Sequence, residues 1–222
     1  MLNATSDEMI KWTMVEVIPA ILVKRHEEFE SLVRKFEPHV SRVHLDIIDG
    51  EFANNKTFNG YEEVKLINTT LDFDIHLMVR MPSKYMQKWY ETKADRFILH
   101  QECQEPLAPL LNELRNHGKR GAIALNPSTG TETISGLEHD IDFLQFMTVN
   151  PGFYGGNFIP DVLEKIKKFH TQFPNVKIGV DGGITPETGP RACAAGASIL
   201  VCGSYLASSD NLVEDIQLLK NC

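Results

Sequence analysis

Short apolar runs rich in Val, Ile, Leu and Phe alternate along the chain with stretches whose apolar residues recur every three or four positions, with turn residues between them. From Val15 onward eight β-type runs can be marked, at 15–23, 42–48, 72–79, 95–100, 120–126, 143–149, 176–181 and 197–202. Amphipathic helices are predicted between them. Segment 25–38 puts Phe29, Leu32, Val33 and Phe36 on one face, and 160–170 sets Val162, Ile166 and Phe169 against Glu164, Lys167 and Lys168. A βα unit repeated along the chain predicts a parallel sheet with right-handed crossovers, and eight repeats suggest closure into a (β/α)8 TIM barrel. An open doubly wound sheet is the alternative, because counting units does not establish closure. The barrel is predicted as one domain over 15–222. Residues 1–14 read as an appended arm whose Ile10, Trp12 and Met14 could pack under the barrel or against a neighbouring subunit.

A parallel strand buried on both faces should be apolar throughout, so polar residues inside these runs call for a reason. The second run, Arg42-Val43-His44-Leu45-Asp46-Ile47-Ile48, sets His44 and Asp46 on one face near its C-terminal end. The third contributes Asp74 and His76, and the seventh ends on Val180-Asp181. In a barrel the C-terminal strand ends surround one mouth, where catalysis is found. Two imidazoles and two carboxylates converging there suit one divalent cation, such as zinc, iron, manganese or cobalt, which would polarise a carbonyl oxygen. Asp49, followed by Gly50 and out of step with Asp46, reads as a turn or cap group.

Glycine-rich turns follow the last three strands: Asn150-Pro151-Gly152-Phe153-Tyr154-Gly155-Gly156, then Gly182-Gly183, then Gly203-Ser204. The loops after strands seven and eight of such barrels often bind phosphate through backbone N–H groups, with glycine allowing close approach. No glycine fingerprint of a dinucleotide site follows the first strand, so a nicotinamide cofactor is not indicated.

Composition narrows the partners. The chain has 222 residues, 42% hydrophobic and 23% charged, and a formal net charge of −8, with no Lys/Arg cluster to hold nucleic acid. It has no apolar run long enough for a membrane span and no basic-then-apolar leader, so a soluble, cytoplasmic protein is expected. Cys103, Cys193, Cys202 and Cys222 lack paired spacing and read as free thiols.

At these residues the sequence resembles the ribulose-phosphate 3-epimerase family, in order from about Ile18 to the last helix. The resemblance is carried by His44-Leu45-Asp46 with Asp49-Gly50, His76-Leu77-Met78, Ala124-Leu125-Asn126-Pro127, Met147-Thr148-Val149-Asn150-Pro151-Gly152-Phe153, Val180-Asp181-Gly182-Gly183-Ile184 and Gly203-Ser204. It implies a metal held by His44, Asp46, His76 and Asp181, with Asp46 and Asp181 as the acid–base pair. One would remove the C3 proton of D-ribulose 5-phosphate and the other return a proton on the opposite face through a metal-stabilised enediolate, giving D-xylulose 5-phosphate. It further implies sugar-phosphate contacts from His76, Gly152, Phe153, Tyr154, Gly155, Gly182, Gly183, Gly203 and Ser204, and a homo-oligomer, dimer or hexamer.

The sequence departs from the family pattern at Ala20 (usually Ser), Ile48 (usually Met), Glu51-Phe52-Ala53-Asn54-Asn55, Tyr154, Gly156 and Gly179 (usually Glu). None removes an implied ligand, but they could shift preference to a related ketose phosphate such as a hexulose 6-phosphate. Two rival readings remain. A lyase or decarboxylase resembling orotidine-phosphate decarboxylase would need an Asp-x-Lys-x-x-Asp run, and Asp46 is followed by Ile47 and Ile48. A catalytically silent sugar-phosphate binder would have no use for four buried polar groups.

Overall fold

The computed structural model describes residues 15–222, so the arm predicted over 1–14 lies outside the described residues. Eight parallel strands close into a barrel in sequence order: β1 (Glu16–Ile21), β2 (Arg42–Ile48), β3 (Asp72–Met78), β4 (Arg96–His100), β5 (Arg120–Leu125), β6 (Phe143–Met147), β7 (Lys177–Asp181) and β8 (Ile199–Cys202). Closure rests on β1 pairing with both β2 and β8, Ala20 beside His44 and Pro19 beside Cys202. The open-sheet alternative is thereby excluded.

The helices are α1 (His26–Phe36), α2 (Tyr61–Leu66), α3 (Ser83–Trp89), α4 (Leu107–Asn116), α5 (Val162–Gln172), α6 (Gly189–Ala194), α7 (Ser204–Ala207) and α8 (Leu212–Lys220). Their apolar faces, such as Phe29, Val33 and Phe36 of α1, meet the outward residues of the strands in one core layer. Two expectations need correction. A helix is predicted in every crossover, but β5 and β6 are joined by a loop whose regular part is one 3₁₀ turn, Thr131–Ile134. The predicted strands also overrun, most at the first, which forms only over Glu16–Ile21, and at the sixth, which stops at Met147. There the Thr148 hydroxyl donates to the Gly182 carbonyl, and Pro151 then excludes further ladder bonding.

Inside the barrel the side chains stack in layers. An apolar middle, Ile18, Ala20, Ile98, Ala122, Ala124, Phe143, Ile199 and Val201, separates two polar ends. At the N-terminal end Arg42 and Arg96 both bond to the fully buried Asp74, Arg42 also reaches Asp95, and the Arg96 guanidinium lies 4.7 Å over the Phe143 ring. Asp74 thus belongs to a structural plug, one layer below His76. Gly179 fits the same layer: a Cβ there would lie 2.9 Å from two Phe143 ring atoms, so the departure from Glu makes room for that ring.

Candidate active site

Residue register explains the polar cluster at the C-terminal mouth. On β2 the inward positions are Arg42, His44, Asp46 and Ile48, and pairing sets Asp46 beside His76 of β3. Asp181 ends β7, three strands away around the closed sheet, and faces the same space. His44, Asp46, His76 and Asp181 are all buried, and each offers one donor atom lying within 4.8 Å of the others.

Those atoms are His44 Nε2, Asp46 Oδ1, His76 Nδ1 and Asp181 Oδ2. His76 Nδ1 is 2.8 Å from Asp46 Oδ1 and 3.5 Å from Asp181 Oδ2, and His44 Nε2 is 3.4 Å and 3.7 Å from the same two oxygens. Among the described residues, neither ring nitrogen of the buried His44 has a hydrogen-bond partner. Burial pushes both carboxyls upward; contact with His44 and His76 outweighs this at Asp46 and holds it low, while at Asp181 the nearby Asp46 charge adds to burial and keeps it raised. Two carboxylates crowded with two imidazoles and an orphaned ring nitrogen make an imidazole–carboxylate donor set that fits a divalent transition ion.

Three further residues hold this cluster and were not singled out from the sequence. Gln145, buried on β6, donates from Nε2 to Asp181 Oδ2 at 3.0 Å. His100, ending β4, meets His76 and is bonded to Glu102. The criterion that exposed the other strands, a polar side chain inside an apolar run, also applies to Gln145 in Phe-Leu-Gln-Phe-Met and to His100 in Arg-Phe-Ile-Leu-His.

Above the cluster lies a cavity of about 40 Å³ lined by Ala20, Asp46, Met78, Met147, Asp181 and the glycine loops. All the predicted phosphate residues, Gly152, Phe153, Tyr154, Gly155, Gly182, Gly183, Gly203 and Ser204, border it. His76 instead lies with the donor cluster, and Phe153 is largely exposed. Gly182 and Gly183 have φ of +114° and +63°, a backbone that only glycine adopts freely, and turn the chain out of β7 just above Asp181. Tyr154 folds across the mouth. Its hydroxyl donates to the Ala20 carbonyl and accepts from the Leu22 N–H, each at 2.7 Å, and its ring covers Gly203. The strand end that lacks the family's serine hydroxyl therefore meets a hydroxyl from the opposite loop. Asn55 ties the two altered loops together by donating to the Gly152 carbonyl at 2.6 Å. Asp49 is a turn group as expected, accepting from the N–H groups of Glu51, Phe52 and Arg80.

With that geometry fixed, comparison with known proteins decides the family. The model of the ribulose-phosphate 3 epimerase family matches residues 16–207. The chain belongs to that family. Relatives named ribulose-phosphate 3-epimerase include one from Chlamydia muridarum, 36% identical over 195 residues, covering 83% of this chain and 85% of that protein. Another, from Bacillus subtilis, is 33% identical over 199 residues, covering 86% and 91%. As a member of the ribulose-phosphate 3 epimerase family the protein is an isomerase that acts in carbohydrate metabolism. Among solved structures the fold resembles a 3-hexulose-6-phosphate synthase, TM-score 0.69 at 15% identity, covering 93% of this chain and 98% of that one. An orotidine 5'-monophosphate decarboxylase from Sulfolobus solfataricus gives TM-score 0.61 at 13% identity, covering 93% and 96%. At such identities these two likenesses concern the barrel alone.

Proposed function

We propose that the protein interconverts D-ribulose 5-phosphate and D-xylulose 5-phosphate by proton transfer at C3 between two carboxylates. The observation that carries this reading is that Asp46 and Asp181, from the separated strands β2 and β7, enter one buried four-donor cluster. Inversion at carbon needs an acid–base group on each face, and two carboxylates reaching in from separated strands meet that need. A divalent cation held by His44, Asp46, His76 and Asp181 would supply positive charge where negative charge builds on the substrate's oxygens.

The protein's own groups do the rest. Asp46 and Asp181 would exchange protons with C3, one accepting and the other donating, and the direction of reaction sets which does which. Gln145 fixes Asp181 Oδ2, and Met78 and Met147 form apolar walls. Gly182, Gly183, Gly203 and Ser204 line the same cavity, and their backbone N–H groups would hold the phosphate. The cavity of about 40 Å³ is roofed by Tyr154, whose side chain would move aside for a pentulose phosphate to enter. The rice relative named as a cytoplasmic isoform, 33% identical, supports a cytoplasmic location for this chain.

The test is C3 epimerisation of D-ribulose 5-phosphate by protein stripped with chelator and then resupplied with zinc, manganese, cobalt or iron(II). Turnover lost on stripping and restored by at least one ion is expected. Turnover indifferent to chelation would remove the metal role. A protein inactive on the pentulose but active on a hexulose 6-phosphate would move the substrate and leave the chemistry.

A further inference from the structure

We infer that His100 and Glu102 form a hydrogen-bonded relay that fixes the tautomer of His76, so that its Nδ1 lone pair faces the four-donor cluster. The inference rests on the metal reading above and concerns how the protein prepares one of its donors.

His76 is fully buried and has two ring nitrogens to place. Nδ1 looks into the cluster, 2.8 Å from Asp46 Oδ1. Nε2 looks away and meets Nε2 of the equally buried His100 at 2.8 Å. The two rings are 21° from coplanar with centroids 4.9 Å apart, the separation of imidazoles joined head to head by one N–H···N bond. Which ring donates is decided at the far end. His100 Nδ1 lies 3.0 Å from Glu102 Oε2, and Glu102 Oε1 accepts from the Asn126 N–H at 2.8 Å and from the Thr129 hydroxyl.

Burial pushes the Glu102 carboxyl upward, but contact with His100 first, and then the Thr129 and Asn126 donors, outweigh it and hold the group down at about 2, so this carboxylate accepts from all three. His100 Nδ1 must then carry the hydrogen. His100 is buried, the Phe52 ring covers it with centroids 4.6 Å apart, and its Nδ1 hydrogen is committed to Glu102. Its Nε2 is then the bare nitrogen, so the hydrogen in the 2.8 Å N···N contact comes from His76 Nε2. What remains on His76 is a lone pair at Nδ1, facing Asp46 Oδ1 across 2.8 Å. Two lone pairs that close require a positive centre between them, and a divalent cation is such a centre. His100 reaches the cluster only through His76 Nε2 and Glu102 only through His100, and neither lines the cavity, so both are positioning residues.

The test compares zinc binding by wild type, His100→Phe, His100→Gln and Glu102→Gln, measured by chelator competition on stripped protein, with 15N spectra of the histidines in the zinc-loaded state. His100→Phe keeps a ring of similar size and removes the acceptor; a zinc Kd raised about 10- to 100-fold is expected, with the unfolding temperature of the stripped protein unchanged. His100→Gln can offer a side-chain carbonyl to His76 and is expected to recover part of the loss. Glu102→Gln keeps the volume, gives up the charge, and is expected to weaken binding about 10-fold, so the comparison survives if His100→Phe does not fold. Wild-type His76 should show its hydrogen on Nε2. Variants that bind zinc within twofold of wild type, or a His76 hydrogen on Nδ1, would overturn the relay alone. A wild type that takes up no divalent ion would overturn the metal reading and the relay with it.

Discussion

Tyr154 shows how one side chain can change the way a shared mouth is closed. Its hydroxyl makes two hydrogen bonds to the end of β1, to the Ala20 carbonyl and from the Leu22 N–H. Removing it leaves the ring over Gly203 but frees the loop. Tyr154→Phe is expected to cost the closed loop on the order of 1.4 kcal/mol, within the range for lost hydrogen bonds. The Leu22 amide should then exchange with deuterated water about tenfold faster, read by hydrogen-exchange mass spectrometry or NMR. Gln145 acts at the same scale. It is the one side-chain donor to Asp181 Oδ2 among the described residues. Gln145→Leu keeps much of the volume, removes that bond, and is expected to lower kcat for epimerisation about tenfold with KM little changed.

At the scale of elements, β2, β3 and β7 disclose their role in the sequence because charged residues interrupt runs that should be apolar. The same rule reads Asp74 with His76, and only the register separates them: Asp74 faces Arg42 and Arg96 at the N-terminal end, His76 faces Asp46 one layer higher. Periodicity gives the face of a strand but not the depth, which depends on the stagger of neighbouring strands. The sixth strand's Gln145 and the fourth strand's His100 are neutral or weakly polar and pass among apolar neighbours more quietly. Packing across strands is equally illegible locally. Gly179 reads as a lost acidic residue, whereas in the barrel it is the space for Phe143. Gly179→Ala is therefore expected to destabilise the protein by about 1–3 kcal/mol through overpacking, measured by urea unfolding, with Phe143→Leu relieving part of the cost.

At the scale of the whole molecule, the repeated βα pattern announced the barrel, while closure appeared only in the β1–β8 pairing. The barrel's two ends divide the labour, with ion pairs at the N-terminal end and the candidate site at the other. Asp95 belongs to the first. Burial raises its pKa, but bonds from Arg42 and Arg120 outweigh this and leave it below its ordinary value. A group whose pKa is lower folded than unfolded stabilises above the unfolded value and loses that contribution as pH falls through the folded one. Asp95→Asn is thus expected to cost on the order of 1 kcal/mol at pH 7, Asp95 being half-buried. The cost should shrink as pH drops below about 4, the ordinary aspartate value, followed by chemical denaturation across that window.

The claim on which the reading turns is that Asp46 and Asp181 transfer protons at opposite faces of one carbon. It is tested most directly by running wild type, Asp46→Asn and Asp181→Asn on D-ribulose 5-phosphate in deuterium oxide and following both inversion and deuterium at C3. Wild type should invert C3 and place deuterium there, and each variant should lose inversion by about 10²- to 10⁴-fold, the usual worth of a positioned acid or base. Inversion within tenfold of wild type in either variant would contradict the two-carboxylate account.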